Sequence, residues 1–130
     1  MGRHTLDPEG HVIPVEEFEA GYDRLLASLA EAGTQLILIE PFLLPVNGVV
    51  EAGAALIGDK ERKDWRTDLD PKIQAVRRLA GKYGAQLLAA DGMFAELAAT
   101  PGPEYWAADG VHPTPAGHAA LAAAWLRLVA

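Results

Sequence analysis

The sequence predicts an α/β fold in a single domain, because apolar strand-like runs alternate with amphipathic helical segments. Two short apolar runs, 36–39 and 85–90, each follow such a segment, which indicates parallel strands covered by helices. The chain has 130 residues, enough for one domain with its own core. It has no cysteine, which excludes disulfides, thiolate metal sites and a cysteine nucleophile.

The first predicted helix covers residues 16–32 and follows an irregular arm at 1–14. Acidic residues crowd its first turns, where the helix dipole favours them, and apolar residues recur at helical spacing. This apolar stripe consists of Phe18, Tyr22, Leu25, Leu26 and Leu29. The unbroken apolar run at 36–39 then predicts a strand that is buried on both faces.

The middle of the chain is predicted to be a long loop, at 45–69. A short helix within 46–58 is an alternative, while the mixed charges of 59–68 are typical of solvated surface. Asp70 and Pro71 then predict the start of a second helix, since aspartate is a common cap and proline favours the first helical position. Gly84 marks its expected end.

The C-terminal third is predicted to contain a strand at 85–90, a short helix at 93–100 and a final helix. Asp91 either belongs to a site at the sheet edge or caps the short helix. Thr114 is the expected cap of the final helix, which turns Leu121, Trp125 and Leu128 inward. Two strands alone would leave apolar sheet edges open.

Composition disfavours several classes of partner. The net charge of -7 would repel phosphate backbones, so nucleic acid is not an expected partner. No apolar run approaches the roughly 20 residues that a membrane span needs, and the N-terminus lacks the apolar core of a signal peptide. We therefore expect a soluble, cytoplasmic protein, unless the native N-terminus lies upstream.

A candidate catalytic pair stands in the stretch "DGVHPTP", where Asp109 and His112 are three residues apart. Ester hydrolysis by a triad needs an imidazole as base and a carboxylate that orients it. A turn through Gly110 and Val111 would fold the carboxylate onto the nearer ring nitrogen. The alternative is an ordinary turn aspartate beside a surface histidine.

The surrounding sequence, "DGVHPTPAGHAAL" followed by a last helix, closely resembles the C-terminal block of the SGNH (GDSL-type) hydrolases. The resemblance continues upstream through "PVEEFEAGYDRLL", "LILIEPFLLP", "DWRTDLDPKIQAVRRLAGKYGA", "LLAADGMF" and "YWAADGVHP". It implies a three-layer α/β/α, flavodoxin-like sandwich with a parallel sheet. It also implies cleavage of acyl or acetyl esters on sugars or lipids, without a metal or other cofactor, with His112 as base and Asp109 as triad acid.

The family's other catalytic blocks have no counterpart here. Its nucleophile is the serine of a Gly-Asp-Ser segment, and its oxyanion hole uses a glycine and the asparagine of a Gly-x-Asn-Asp block. This chain has one serine, Ser28, within the first helix, and one asparagine, Asn47, in turn-like sequence before a glycine. The resemblance therefore implies the C-terminal part of such a hydrolase, without a nucleophile and inactive by itself.

Three further interpretations follow from the sequence. Trp106, just before the pair, is a candidate wall of the substrate pocket or, equally, a loop-packing residue. Asp109, His112 and His118 are poorly spaced for a metal site, so no metal is expected. One rival function is a non-catalytic interaction module that pairs with a second copy of itself or with another chain through an exposed sheet edge. Another is a half-domain that is completed by a partner chain.

Overall fold

The computed structural model describes residues 12–52 and 55–130. It is mixed α/β, which confirms the predicted fold class. Its elements are α1 (Val15–Glu31), β1 (Ile37–Ile39), β2 (Val50–Ala52), β3 (Ala55–Ile57), α2 (Asp59–Tyr83), β4 (Gln86–Leu88), α3 (Ala90–Leu97), α4 (Pro103–Trp106) and α5 (Pro115–Val129). Most of the predicted arm at 1–14 lies outside the described residues, and 12–14 carry no helix or strand.

The two predicted strands pair in parallel, with α1 and α2 on one face and α5 against β4 on the other. Leu38 of β1 lies opposite Leu87 of β4, and both pack into a cluster with Leu26 of α1 and Val76 of α2. Side chains alternate between faces along a strand, so Gln86 points the other way, and its amide donates to the carbonyl oxygen of Leu128 in α5. The helices α1 and α2 therefore cover one face, and α5 packs on the other face at β4.

The predicted loop at 45–69 is wrong, and so is the alternative of a short helix within 46–58. The strands β2 and β3 form an antiparallel hairpin there, and α2 begins at Asp59, so that Pro71 lies inside the helix rather than at its start. The charged segment is helical because i,i+4 ion pairs hold successive turns together and Arg62 is buried against the hairpin. These pairs are Lys60–Asp64, Arg66–Asp70 and Lys72–Asp68.

Several predicted core positions are exposed. In the α1 stripe Leu25 is 60% exposed, and Leu29 is also exposed, because α1 packs mainly against α2. Ile39 of β1 is 46% exposed, so this strand is not buried on both faces among the described residues. In α5, Trp125 is 39% exposed rather than turned inward. Each of these side chains adds to the apolar surface.

The C-terminal region is close to the prediction. Thr114 caps α5 as expected, with its hydroxyl accepting from the backbone N–H of Gly117 at 3.2 Å. The short third helix begins at Ala90, a few residues earlier than predicted, and the loop before the candidate pair contains the single-turn helix α4. A second core cluster, centred on Leu44, Phe94 and Ala107, lies beneath this region.

Candidate functional site

The candidate pair lies on a loop that packs against the segment leaving β1. The backbone N–H of Leu44 donates to the carbonyl oxygen of Gly110 at 3.0 Å. Gly110 has a φ of 84°, and a Cβ placed on it would lie 2.8 Å from the carbonyl oxygen of Leu44. Only glycine combines this backbone conformation with such a close approach. The loop is thereby held near the carboxyl ends of the parallel strands, where α/β proteins place their sites.

Asp109 uses both of its carboxylate oxygens within this loop. Oδ1 accepts from the backbone N–H groups of Val111 and His112, each at 2.8 Å, and Oδ2 lies 2.7 Å from Nδ1 of His112. The two backbone bonds fold the chain through a turn that brings the ring onto the carboxylate. The three-residue spacing thus allows the contact between the Asp109 carboxylate and the His112 ring that the sequence suggests.

The two side chains differ sharply in exposure. The Asp109 side chain is 13% exposed, whereas the His112 side chain is 74% exposed. One edge of the imidazole is held by a largely buried carboxylate, and the rest of the ring faces outward. A base that must meet a reacting hydroxyl needs this combination of an anchored and an accessible edge.

Local hydrogen bonds keep Asp109 ionised. Burial raises the pKa of its carboxyl, but the bonds from the His112 ring and from the His112 and Val111 backbones outweigh burial and hold the pKa below its ordinary value. An ionised carboxylate can only accept hydrogen bonds, so a neutral imidazole in this contact carries its proton on Nδ1. Its Nε2 lone pair is then available to take a proton.

The loop is also anchored on its C-terminal side. The Thr114 hydroxyl donates to the carbonyl oxygen of Tyr105 at 2.7 Å, and the Thr114 N–H donates to that of Trp106 at 2.9 Å. A Cβ on Gly117 would lie only 2.2 Å from the same Trp106 oxygen. The first turn of α5 is therefore tightly packed against α4, and this fixes the exit of the loop.

Trp106 itself lies partly buried under the loop. Its indole N–H donates to the carbonyl oxygen of Leu97 at 2.8 Å, and its ring packs with the cluster of Leu44 and Phe94. These contacts are those of a packing residue. A role in walling the substrate pocket stays a prediction.

The serine and the asparagine take the positions expected for surface residues. Ser28 is exposed on α1 and its hydroxyl donates to the carbonyl oxygen of Leu25 at 3.0 Å. Asn47 is exposed and precedes Gly48, whose φ is 80°. No hydrogen bond joins either side chain to His112 in the part of the chain that the structure describes.

The strand exit carries an ion-pair network that the sequence did not reveal. Glu40 is buried and accepts from Arg77 Nε at 2.6 Å and from the Asp91 backbone N–H at 3.1 Å. Asp91 does not cap α3. It lies in the first turn and binds the Arg66 guanidinium through both carboxylate oxygens. The one available signal was that Glu40 and Asp91 each follow an apolar run, near the carboxyl ends of the strands.

A cavity of about 440 Å³ lies beside this network. Leu43, Leu44 and Val46 line it, and the same three residues surround the position of a Cβ on Gly110. The wall also carries polar and charged side chains, those of Asn47, Asp59, Arg62, Lys63, Arg66 and Asp91. The cavity therefore adjoins the loop that carries the candidate pair.

Asp109 and His112, two of the three residues considered for a metal site, contact each other. His118 is exposed in the first turn of α5, while His4 and His11 lie outside the described residues. Within 12–52 and 55–130, no group of three or more histidine or acidic side chains could hold a metal ion. Nor does any helix in these ranges have the length and apolar character to cross a membrane.

Comparisons with known proteins agree with this architecture. Residues 7–120 match the profile of the GDSL-like lipase/acylhydrolase family. A protein from Parabacteroides merdae described as GDSL-like lipase superposes with a TM-score of 0.78 at 27% identity, over 96% of this chain and 53% of that chain. The acetylxylan esterase Axe2 from Geobacillus stearothermophilus superposes with a TM-score of 0.70 at 28% identity, over 95% of this chain and 50% of that chain. The α/β hydrolase LAE5 from the Lake Arreo metagenome superposes with a TM-score of 0.69 at 28% identity, over 95% of this chain and 50% of that chain.

The chain thus spans about half the length of the solved structures that it matches. A comparison with curated proteins gave no match. Two of the solved Axe2 variants are described as catalytic mutants, and these replace a serine and a histidine of that enzyme with alanine.

Proposed function

The chain belongs to the GDSL-like lipase/acylhydrolase family, and from this premise we propose that it supplies the base and the acid of a serine ester hydrolase. His112 takes the proton of a serine hydroxyl as that oxygen attacks the ester carbonyl, and then returns the proton to the departing alcohol. Asp109 orients the ring and stabilises the imidazolium that forms. The observation that carries the proposal is the 2.7 Å contact between Asp109 Oδ2 and His112 Nδ1 on an otherwise exposed ring.

The nucleophile comes from outside residues 1–130 in this proposal, because Ser28 is the single serine of the chain and lies on α1. The missing serine and its oxyanion donors belong either to another segment of the same protein or to a partner chain. Loss of the nucleophile costs on the order of a millionfold in kcat in a serine hydrolase, so these residues alone would not support triad catalysis.

The proposed substrate is a short acyl or acetyl ester of a carbohydrate or a lipid. Axe2 is an acetylxylan esterase, which favours a carbohydrate ester. The cavity beside the loop is in the usual size range of ligand pockets. Its wall mixes apolar side chains with polar and charged ones, among them Asn47, Lys63 and the ion pair of Arg66 and Asp91. A sugar with apolar faces and several hydroxyl groups matches such a lining.

The test compares two histidine variants of the native protein that contains this chain. With p-nitrophenyl acetate as substrate, His112→Ala should lose on the order of 10⁴-fold or more in kcat, and Asp109→Asn about 10⁴-fold. His118→Ala is the matched control, because His118 is six residues away and exposed in the first turn of α5. Unchanged hydrolysis by His112→Ala would refute the assignment.

A second candidate function is a non-catalytic interaction module. It is favoured by β1 and β4, each of which has one partner strand among the described residues, and by the exposed side chain of Ile39. In this case the open edge would pair with a second copy or another chain. Gel filtration separates the candidates, since a discrete dimer without esterase activity favours the module.

A further inference from the structure

The backbone of Leu43 is held from two sides by an ion pair that lies outside the candidate catalytic loop. The Arg66 guanidinium donates through Nη1 to the Leu43 carbonyl oxygen at 3.1 Å. The Leu43 N–H donates to Oδ1 of Asp91 at 3.2 Å, and the same Nη1 donates to that Oδ1 at 2.9 Å. One guanidinium and one carboxylate therefore close around one residue of the segment that leaves β1.

The pair is itself well fixed. Nη2 of Arg66 binds the second carboxylate oxygen of Asp91, so the contact is bidentate, and Nε donates to Asp70 one turn along α2 at 2.6 Å. The hydrogen bond to Asp91 is the main reason why the pKa of Arg66 is raised. The Asp91 side chain is only 16% exposed. A bidentate arginine and a largely buried carboxylate hold a defined geometry better than a surface ion pair does.

Leu43 connects this pair to the loop of Asp109 and His112. The next residue, Leu44, donates its N–H to Gly110, and its carbonyl oxygen lies 2.8 Å from the position of a Cβ on Gly110. Movement of Leu43 and Leu44 would therefore shift Gly110. Gly110 lies within the turn that Asp109 closes through its bonds to the Val111 and His112 backbones.

We propose that Arg66 and Asp91 are a positioning pair for the catalytic loop: they fix Leu43, and through Leu44 and Gly110 they hold Asp109 against the His112 ring. This inference rests on the proposed function for its catalytic meaning. Its geometric content, that the pair controls the contact between Asp109 and His112, does not depend on any reaction.

The test reads the His112 ring directly by NMR of protein labelled with ¹⁵N-histidine, assigned with His112→Ala. In the wild type at neutral pH, the ring nitrogen shifts should report one dominant tautomer with the proton on Nδ1. Arg66→Ala and Asp91→Asn should shift the ring toward a mixture of tautomers. Arg66→Lys keeps the charge without the bidentate geometry, so it should restore the wild-type signature only in part.

Arg78→Ala is the matched control. Arg78 lies on the same helix and makes a bidentate ion pair with Glu19, but that pair joins α2 to α1 and does not touch the segment after β1. The control should leave the His112 tautomer unchanged. An unchanged tautomer in folded Arg66→Lys and Asp91→Asn, or an equal change in Arg78→Ala, would overturn the proposal.

Hydrolysis by the native protein gives a second readout. Arg66→Ala and Asp91→Asn should lower kcat by about 10- to 100-fold, because a small displacement of a catalytic group has an effect of this size. If His112→Ala retains activity while Arg66→Ala still changes the tautomer, the proposed function fails and the positioning pair stands. If His112→Ala is inactive and Arg66→Ala retains both the wild-type tautomer and the wild-type kcat, the proposed function stands and the positioning pair fails.

Discussion

Replacing Gly110 with alanine should destabilise the protein through two separable effects. A residue with a side chain at a φ of 84° carries a backbone cost of about 1–2 kcal/mol. The added Cβ would also lie 2.8 Å from a backbone oxygen, that of Leu44, and 3.2 Å from Cγ2 of Val46. Overpacking of this kind costs about 1–3 kcal/mol. Together they predict a loss of about 2–5 kcal/mol in the free energy of unfolding.

Gly33→Ala is the matched control for the first effect. Gly33 has a φ of 79°, yet a Cβ placed on it meets nothing within 4 Å, so only the backbone cost of about 1–2 kcal/mol applies. Urea denaturation of both variants gives the two losses, and their difference measures the contact between Gly110 and Leu44. Equal losses in the two variants would refute the argument that Gly110 is required by close packing.

Three more predictions use the same approach. Gly117→Ala should lower the free energy of unfolding by about 1–3 kcal/mol, because its Cβ would collide with a backbone oxygen at 2.2 Å. Gly81→Ala, in an open helical position, should raise the free energy of unfolding by about 0.5–1 kcal/mol, and thermal or urea unfolding measures both changes. Glu40→Ala should lower the free energy of unfolding by about 2–3 kcal/mol, since the partly buried N–H of Asp91 and the guanidinium of Arg77 lose their acceptor. Glu19→Ala removes a more exposed ion pair and should lower it by less than about 1 kcal/mol. The pKa of Asp109 is lowered in the folded protein, so the ionised carboxylate contributes to the free energy of unfolding above the ordinary pKa of 3.8. This contribution is lost as the pH falls through the lower pKa of the folded protein. Asp109→Asn should therefore show a shallower loss of stability with acid than wild type, and parallel profiles would contradict this.

The fold class and the turn that brings Asp109 to His112 could be predicted because their signals are local. Asp109 and His112 are three residues apart, so a single turn brings them together, and Thr114 with Pro115 specifies a helix start without reference to the rest of the chain. The apolar runs that became β1 and β4 were recognisable for the same reason. Their alternation with helices was enough to indicate a parallel pair.

The middle of the chain could not be predicted because its structure depends on distant contacts. The sequence around Asp70 and Pro71 carries the signals of a helix start, but α2 begins at Asp59. Its first turns are stabilised by Arg62 against the hairpin, and the next by Arg66 against Leu43 and Asp91. The partners of Arg66 lie 23 and 25 residues away, so the sequence of the charged segment by itself resembles solvated surface.

The same limit explains why the sequence does not reveal the ion pair of Arg66 and Asp91. Arg66 and Asp91 are 25 residues apart, and nothing local marks Arg66 among the charges of 59–68. Asp91 did stand at the end of an apolar run, where α/β proteins place functional groups. That position alone did not distinguish a helix cap from an ion-pair partner.

The most direct test of the central claim is to label the native protein with a fluorophosphonate, which reacts with activated serines, and to map the modified residue by peptide mass spectrometry. We expect one labelled serine outside residues 1–130, with labelling lost in His112→Ala and kept in His118→Ala. Labelling of Ser28, or labelling that persists in His112→Ala, would contradict the assignment of His112 as the base of a serine hydrolase.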